Sequence, residues 1–386
     1  MRVSSRLPSR FESNALTLAL DELKSRNATF LDLTVSNPVA AGLHFPAEAL
    51  QRALGGASVS EYCPDPLGGQ ETREAIAAWH GHGVTCDDVL LTASTSEAYS
   101  WLFKLLCEPG DEVLVPSPSY PLCDWLARLE GLSTRSVPAY FHERWHLDME
   151  AMERAVQGRT RAIVAVNPNN PTGQCLSRSE WKALTDLCAR KGMALIVDEV
   201  FSDYILEASE DRLPTALEDR DPPCPVFVLS GLSKVAALPQ VKLGWIIARG
   251  SPARELMNPL SFIADQYLSV SASAQIAAAE ILSLALNVQT RISTRLRANL
   301  SNLDTALREH PQLSRLPVEG GWTVLLRRPA VDSDETCVLR ILRAANVLVH
   351  PGHFFDLPGD GYLVLSLLTE ESVFRQGLQK ALPEIR

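Results

Sequence analysis

Over its first two-thirds the chain alternates short, nearly uninterrupted apolar runs with longer stretches in which apolar residues recur every three or four positions. The runs fall at residues 89–92, 112–116, 162–166, 194–198, 226–230 and 243–248, rich in valine, isoleucine and leucine. Runs this short and this continuous predict strands covered on both faces, as in a parallel sheet. Between them the spacing is helical. Tyr99, Leu102, Phe103 and Leu106 share one helix face, and Pro109-Gly110 ends that segment. Residues 274–309, alanine-rich and free of proline, predict one or two long helices leading out of the sheet. A second group of strand-like runs, 323–326, 347–349 and 362–367, predicts a smaller α+β unit that residues before about His44 help to complete. The resulting expectation is an α/β protein with a large domain over 45–279 and a small one assembled from 1–44 and 280–386.

Composition narrows the function. With 386 residues and 46% hydrophobic content the chain can bury one large core and a smaller one. A net charge of −10 argues against nucleic acid, whose binding depends on lysine and arginine neutralising phosphates. Eight scattered cysteines form no C-x-x-C pair and no zinc-type spacing, which predicts reduced thiols and a cytoplasmic setting. The start has no apolar signal region, and no apolar run approaches the roughly 20 residues of a membrane helix.

Three motifs carry the chemistry. Asn167-Pro168-Asn169-Asn170-Pro171-Thr172-Gly173 follows one apolar run, Asp198 closes the next, and Ser230-Gly231-Leu232-Ser233-Lys234 follows a third. A carboxylate at the end of an apolar strand is costly unless paired. A lysine beside an apolar stretch, 235–238, is placed in a sheltered loop. Asn170, Asp198 and Lys234 lie 28 and 36 residues apart. In this pattern, from Asn37-Pro38 to Leu365-Ser366, the chain resembles the fold-type I aminotransferases of class I/II (the aspartate aminotransferase superfamily), enzymes that use pyridoxal 5'-phosphate.

The resemblance implies a role for each position. Lys234 forms the Schiff base with the cofactor's aldehyde and later moves a proton between two carbons. Asp198 pairs with the pyridine nitrogen, and Asn170 donates to the ring's 3'-oxygen. Ser94, Thr95 and Ser96 cradle the phosphate at a helix N-terminus, with Ser233 nearby. Ser94 followed by Glu97 also reads as a plain N-cap box. Tyr120 stacks on the ring. Tyr62 reaches the phosphate of a neighbouring subunit, which implies a homodimer with shared sites.

Three departures stand out. Phe201 replaces a tyrosine that would also donate to the 3'-oxygen. Lys242 stands where an arginine grips the phosphate, keeping the charge but not the bidentate fork. Val364, in Tyr362-Leu363-Val364-Leu365-Ser366, replaces the arginine that clamps the substrate's α-carboxylate. Either another cation takes over or the substrate lacks that clamp. His350, His353 and Asn37 are the polar residues nearest in the pattern, and Trp322, Phe354 and Phe355 suggest a bulky apolar donor. Transamination between an amino donor and a keto acid is the expected activity. β-Elimination, decarboxylation or cyclisation on the same fold is the alternative, because Val364 removes the clamp. A cofactor-sensing regulator is disfavoured, since fewer than 40 residues precede Asn37 and show no helix-turn-helix pattern.

Overall fold

The computed structural model describes residues 3–55, 62–207 and 209–386. Seven strands form the central sheet: β1 (Val89–Thr92), β2 (Glu112–Ser117), β3 (Ser133–Pro138), β4 (Thr160–Val166), β5 (Ala194–Asp198), β6 (Val226–Gly231) and β7 (Gly244–Arg249). Their order is β1-β7-β6-β5-β4-β2-β3, parallel from β3 through β6, with β7 antiparallel to both neighbours. The six strands expected from apolar runs are present. β3 was not expected: as an edge strand with Ser133, Arg135, Ser136 and Pro138 open to solvent, it has no apolar run to announce it.

The strands' side chains alternate between two cores, which is why their sequences are apolar throughout. Leu195, Val197, Val226 and Val228 face a core shared with the helix Ala272–Leu307, while Ile196, Phe227, Leu229 and Ile246 pack on Trp101, Leu102 and Phe103 of the helix Thr95–Leu106. Residues 274–309, expected as one or two helices, form one: 36 residues, Ala272–Leu307, started by Ser271, whose Oγ accepts from Ala274 N. It carries the chain to a four-stranded antiparallel sheet of Ser314–Arg315, Thr323–Arg327, Tyr362–Ser366 and His350–Pro351. Leu31–Asp32 pairs in parallel with Val347–Leu348 in a separate two-stranded sheet, so the start of the chain packs with its C-terminal part. Tyr140–His142 and Arg144–His146 form a separate hairpin. Among the described residues no helix is long and apolar enough to cross a membrane.

Candidate active site

Strands β4, β5 and β6 end side by side, and the loops leaving those ends hold the residues singled out above. Val166 pairs with Asp198, and Asp198 with Leu229. Asn167 N–H donates to Asp198 O at 2.9 Å, tying the β4 loop to the end of β5. After β6 the chain turns once through the short helix Leu232–Val235, which carries Ser233 and Lys234. Gly231 and Gly244 allow this turn to lie against β7. A Cβ on Gly231 would meet Gly244 Cα at 3.0 Å, and one on Gly244 would meet the Ser94 carbonyl carbon at 3.0 Å.

Asp198 is the best-anchored group. Its Oδ2 accepts from Tyr99 Oη at 3.0 Å and its Oδ1 from Val200 N at 3.1 Å. Burial pushes its carboxyl up to about 6, against the opposing pull of those two donors and of Lys234. Lys234 is shifted the other way: burial lowers its amine to about 8, although the Asp198 charge favours the ammonium. Its Nζ lies 4.7 Å from the Trp322 ring centroid and 5.6 Å from that of Phe201, and those two rings meet edge-on at 5.3 Å. Tyr204 meets Trp322 edge-on at 5.1 Å, and its Oη donates to Lys234 O at 2.5 Å. The lysine is thus fixed at its backbone, walled by aromatics at its tip and close enough to a carboxylate to be influenced by it.

Asn170 meets the second sheet, its Oδ1 accepting from Thr323 Oγ1 at 3.4 Å. Thr323 also donates to Pro171 O at 3.0 Å. Ser94 caps the helix Thr95–Leu106, its Oγ accepting from Glu97 N at 3.2 Å. The cap reading of Ser94 therefore holds in this structure. Thr95 and Ser96 open the helix, so their N–H groups have no acceptor within it and face the positive end of its dipole. Lys242 is exposed and sits at φ 59, in the left-handed region that non-glycine residues seldom occupy. Tyr120 is half exposed beside Phe355, 6.3 Å between centroids.

Other singled-out residues are not drawn into this group. Tyr62 is 82% exposed and lines a recess of about 840 Å³ with Trp101, Leu268, Gln275 and Ile276, away from Lys234. Asn37 turns its carbonyl onto its own loop, accepting from Val39 N at 3.0 Å. His353 is exposed against Phe354. Val364 is 2% exposed and packs with Leu325, Leu316, Trp145, Phe355 and Leu357. Tyr99 and Tyr204 were missed as site residues. Tyr99 registered only as part of a helix's apolar face, and Tyr204 lies in a loop without periodicity. Phenols that serve a neighbouring residue leave no pattern of their own.

A partly buried carboxylate within electrostatic reach of a sheltered, easily deprotonated lysine, beside a helix N-terminus, suits an aldehyde cofactor that carries a basic ring nitrogen and a phosphate. Comparisons with known proteins place the chain in a family. The family profile described as aminotransferase class I and II matches residues 28–375. The aspartate/prephenate aminotransferase of Thermus thermophilus is 28% identical over 93% of this chain and 92% of its own length. The glutamate–pyruvate aminotransferase AlaA of Haemophilus influenzae is 26% identical over 86% of this chain and 85% of its own. Among solved structures, an alanine aminotransferase from Pyrococcus furiosus superposes with a TM-score of 0.88 at 26% identity, covering 99% of both chains.

Proposed function

Because the chain belongs to the class I and II aminotransferases, we propose that it binds pyridoxal 5'-phosphate at the ends of β4–β6 and uses it to move an amino group from a donor to a keto acid. The observation that carries this reading is Asp198, held by Tyr99 and Val200, within electrostatic reach of the sheltered amine of Lys234. When bound, the cofactor supplies an aldehyde that takes up the donor's nitrogen and a cationic ring that accepts electron density from the breaking C–H bond.

The chain's own residues do the rest. Lys234, neutral in part near neutral pH, attacks the aldehyde carbon. With the cofactor bound, Lys234 would be placed to take the proton from the donor's Cα and give it to the cofactor's aldehyde-derived carbon on the other side of the nitrogen. Asp198 holds the ring nitrogen's proton. Asn170 positions the 3'-oxygen from its seat against Thr323. Ser94, Thr95, Ser96, Ser233 and Lys242 hold the phosphate, Lys242 being the cation of that set. Tyr120 covers one ring face. Trp322 and Phe201 exclude water around the lysine tip.

The reading extends to a second copy of the chain. Tyr62, Tyr267, Leu268, Phe262 and Ile276 leave large apolar side chains exposed at or near the 840 Å³ recess. Apolar side chains exposed together in this way mark a protein–protein contact. A homodimer would cover it and bring Tyr62 to the partner's phosphate site.

The test is a single-turnover absorbance experiment on purified holoenzyme with a panel of amines and amino acids. Loss of the yellow band with release of a carbonyl product supports transamination. Return to the starting spectrum with release of ammonia, carbon dioxide or a cyclised product supports the other reactions of the fold. Sedimentation of the same sample reads the dimer.

A further inference from the structure

The end of the site farthest from the ring nitrogen is built of carbon. From Trp322 and Thr323, which touch Lys234 and Asn170, the strand Thr323–Arg327 runs on to Leu325, and Leu325 pairs with Val364. On its other side Val364 pairs with His350. From Tyr120 the contact passes to Phe355, whose carbonyl accepts from Ser119 N at 3.0 Å, and Phe355 packs with Val364. Phe354, Phe355 and Val364 therefore pack together beyond Tyr120, with the His350 ring 5.7 and 5.9 Å from Phe354 and Phe355 and the His353 ring 5.0 Å from Phe354.

The nearby arginines are engaged elsewhere. Arg144 faces Glu319 and Glu180, Arg315 is held by Asp304 and Glu207, and Arg295 lies beside Glu371 and the carbonyls of Ala41 and Leu368. His350 is a poor substitute for them. Burial lowers its pKa from the ordinary value, leaving it mainly neutral near pH 7. The charge acting on it among the described residues is the carboxylate of Asp32, held by Thr34 N and Oγ1 at 2.7 and 2.6 Å. A substrate carboxylate set here would meet apolar walls and a like charge, with no fork to receive it.

We infer that the amino donor is a primary amine carrying an apolar or aromatic group where an α-amino acid carries its carboxylate. This rests on the transaminase reading above. In the reaction the donor's C–H bond breaks, and Lys234 takes its proton and delivers it to the cofactor's aldehyde-derived carbon, which is thereby reduced. The donor's nitrogen and the bond's electron pair stay with the cofactor, and water supplies the oxygen of the released aldehyde or ketone. His350 lends a neutral polar contact or packs edge-on against the donor's ring.

Matched donors test it. Holoenzyme is mixed with 2-phenylethylamine or with phenylalanine, and single-turnover rates are read from the cofactor's absorbance. The expected result is a second-order rate constant at least tenfold higher for the amine. A second reading needs no turnover: 3-phenylpropanoate, a carboxylate without an amine, should leave the melting temperature of the holoenzyme unchanged. Val364→Arg, if it folds, should reverse the donor preference and gain stabilisation by 3-phenylpropanoate. Faster conversion by phenylalanine would overturn the inference while leaving the transaminase reading intact. So would stabilisation of the unaltered enzyme by 3-phenylpropanoate that disappears in His350→Phe, because that pattern makes His350 a carboxylate receiver. Failure of every amine and amino acid to change the spectrum overturns the transaminase reading, and this inference with it.

Discussion

The two ends of this site follow different rules. Around Asp198 and Lys234 charged groups sit in apolar surroundings and each has an identified partner: Tyr99 and Val200 for the carboxylate, aromatic rings and the Asp198 charge for the amine. Around Val364 there is packing and no ion pair. Burying a charge demands specific partners, so the first end tolerates little change. An apolar wall demands only volume, so the second can be rebuilt residue by residue. The contrast teaches where to look for each property: on the reading proposed above, the chemistry belongs to the constrained end and the choice of substrate to the permissive one.

The strongest way to break the comparison is at Lys234. Lys234→Ala should lower the rate of amino transfer by about 10⁴-fold or more, since nucleophile and proton carrier vanish together, while the folded protein still binds the cofactor without its yellow band. Asp198→Asn comes next. Removing the charge at the ring nitrogen should cost about 10³-fold, or ~4 kcal/mol of transition-state stabilisation, read as the amino-transfer rate at saturating donor. If Asp198→Asn were nearly neutral, the constrained end would not be constrained in the way described.

Loading of the cofactor-free protein offers a pH test. Only the neutral amine attacks an aldehyde, and burial puts Lys234 at about 8 rather than the ordinary 10.5. The loading rate should therefore rise with pH, about tenfold per unit below that point, and level off above about 8. A rise continuing past pH 10 would show an ordinary, exposed lysine. Tyr99→Phe should cost less, about 1 kcal/mol or roughly fivefold in rate, because Asp198 keeps its Val200 contact. Smallest is Phe201→Tyr. A phenol added beside the 3'-oxygen favours its anionic form, so the midpoint of the bound cofactor's absorbance titration should fall by about one pH unit, with little change in donor preference. A change in donor preference instead would place Phe201 at the permissive end.

How much of this was written in the sequence divides along the same line. Strands β5 and β6 were legible because both faces are buried, which forces continuous apolar runs, and Asp198 stood out as a carboxylate where such a run ends. The edge strand β3 was not legible, because one open side lets polar residues in. Ser94 illustrates an ambiguity that only geometry resolves: one hydroxyl caps its own helix whether or not a phosphate sits above it. Val364 could be recognised as a departure, but its neighbours could not. Leu325, His350 and Phe355 come together through the pairing of distant strands, which no local spacing encodes. The roles of Tyr99 and Tyr204 depend on hydrogen bonds across 99 and 30 residues of chain and are equally hidden.

The helix Ala272–Leu307 has a mechanical consequence. At 36 residues it is about 54 Å long. Gln289 near its middle donates to Val235 O, next to Lys234, and Asn299 three turns on donates to Leu367 O and Thr369 O, just past the strand that carries Val364. One rod therefore holds both the reactive amine and the wall opposite. Tilting it by a few degrees about the first attachment would carry the second through a fraction of an ångström to an ångström or so, comparable to one methyl group of clearance. The spacing between the turn of Lys234 and the strand of Val364 is thus set by one rod, and substitutions at Gln289 or Asn299 would alter it without touching either.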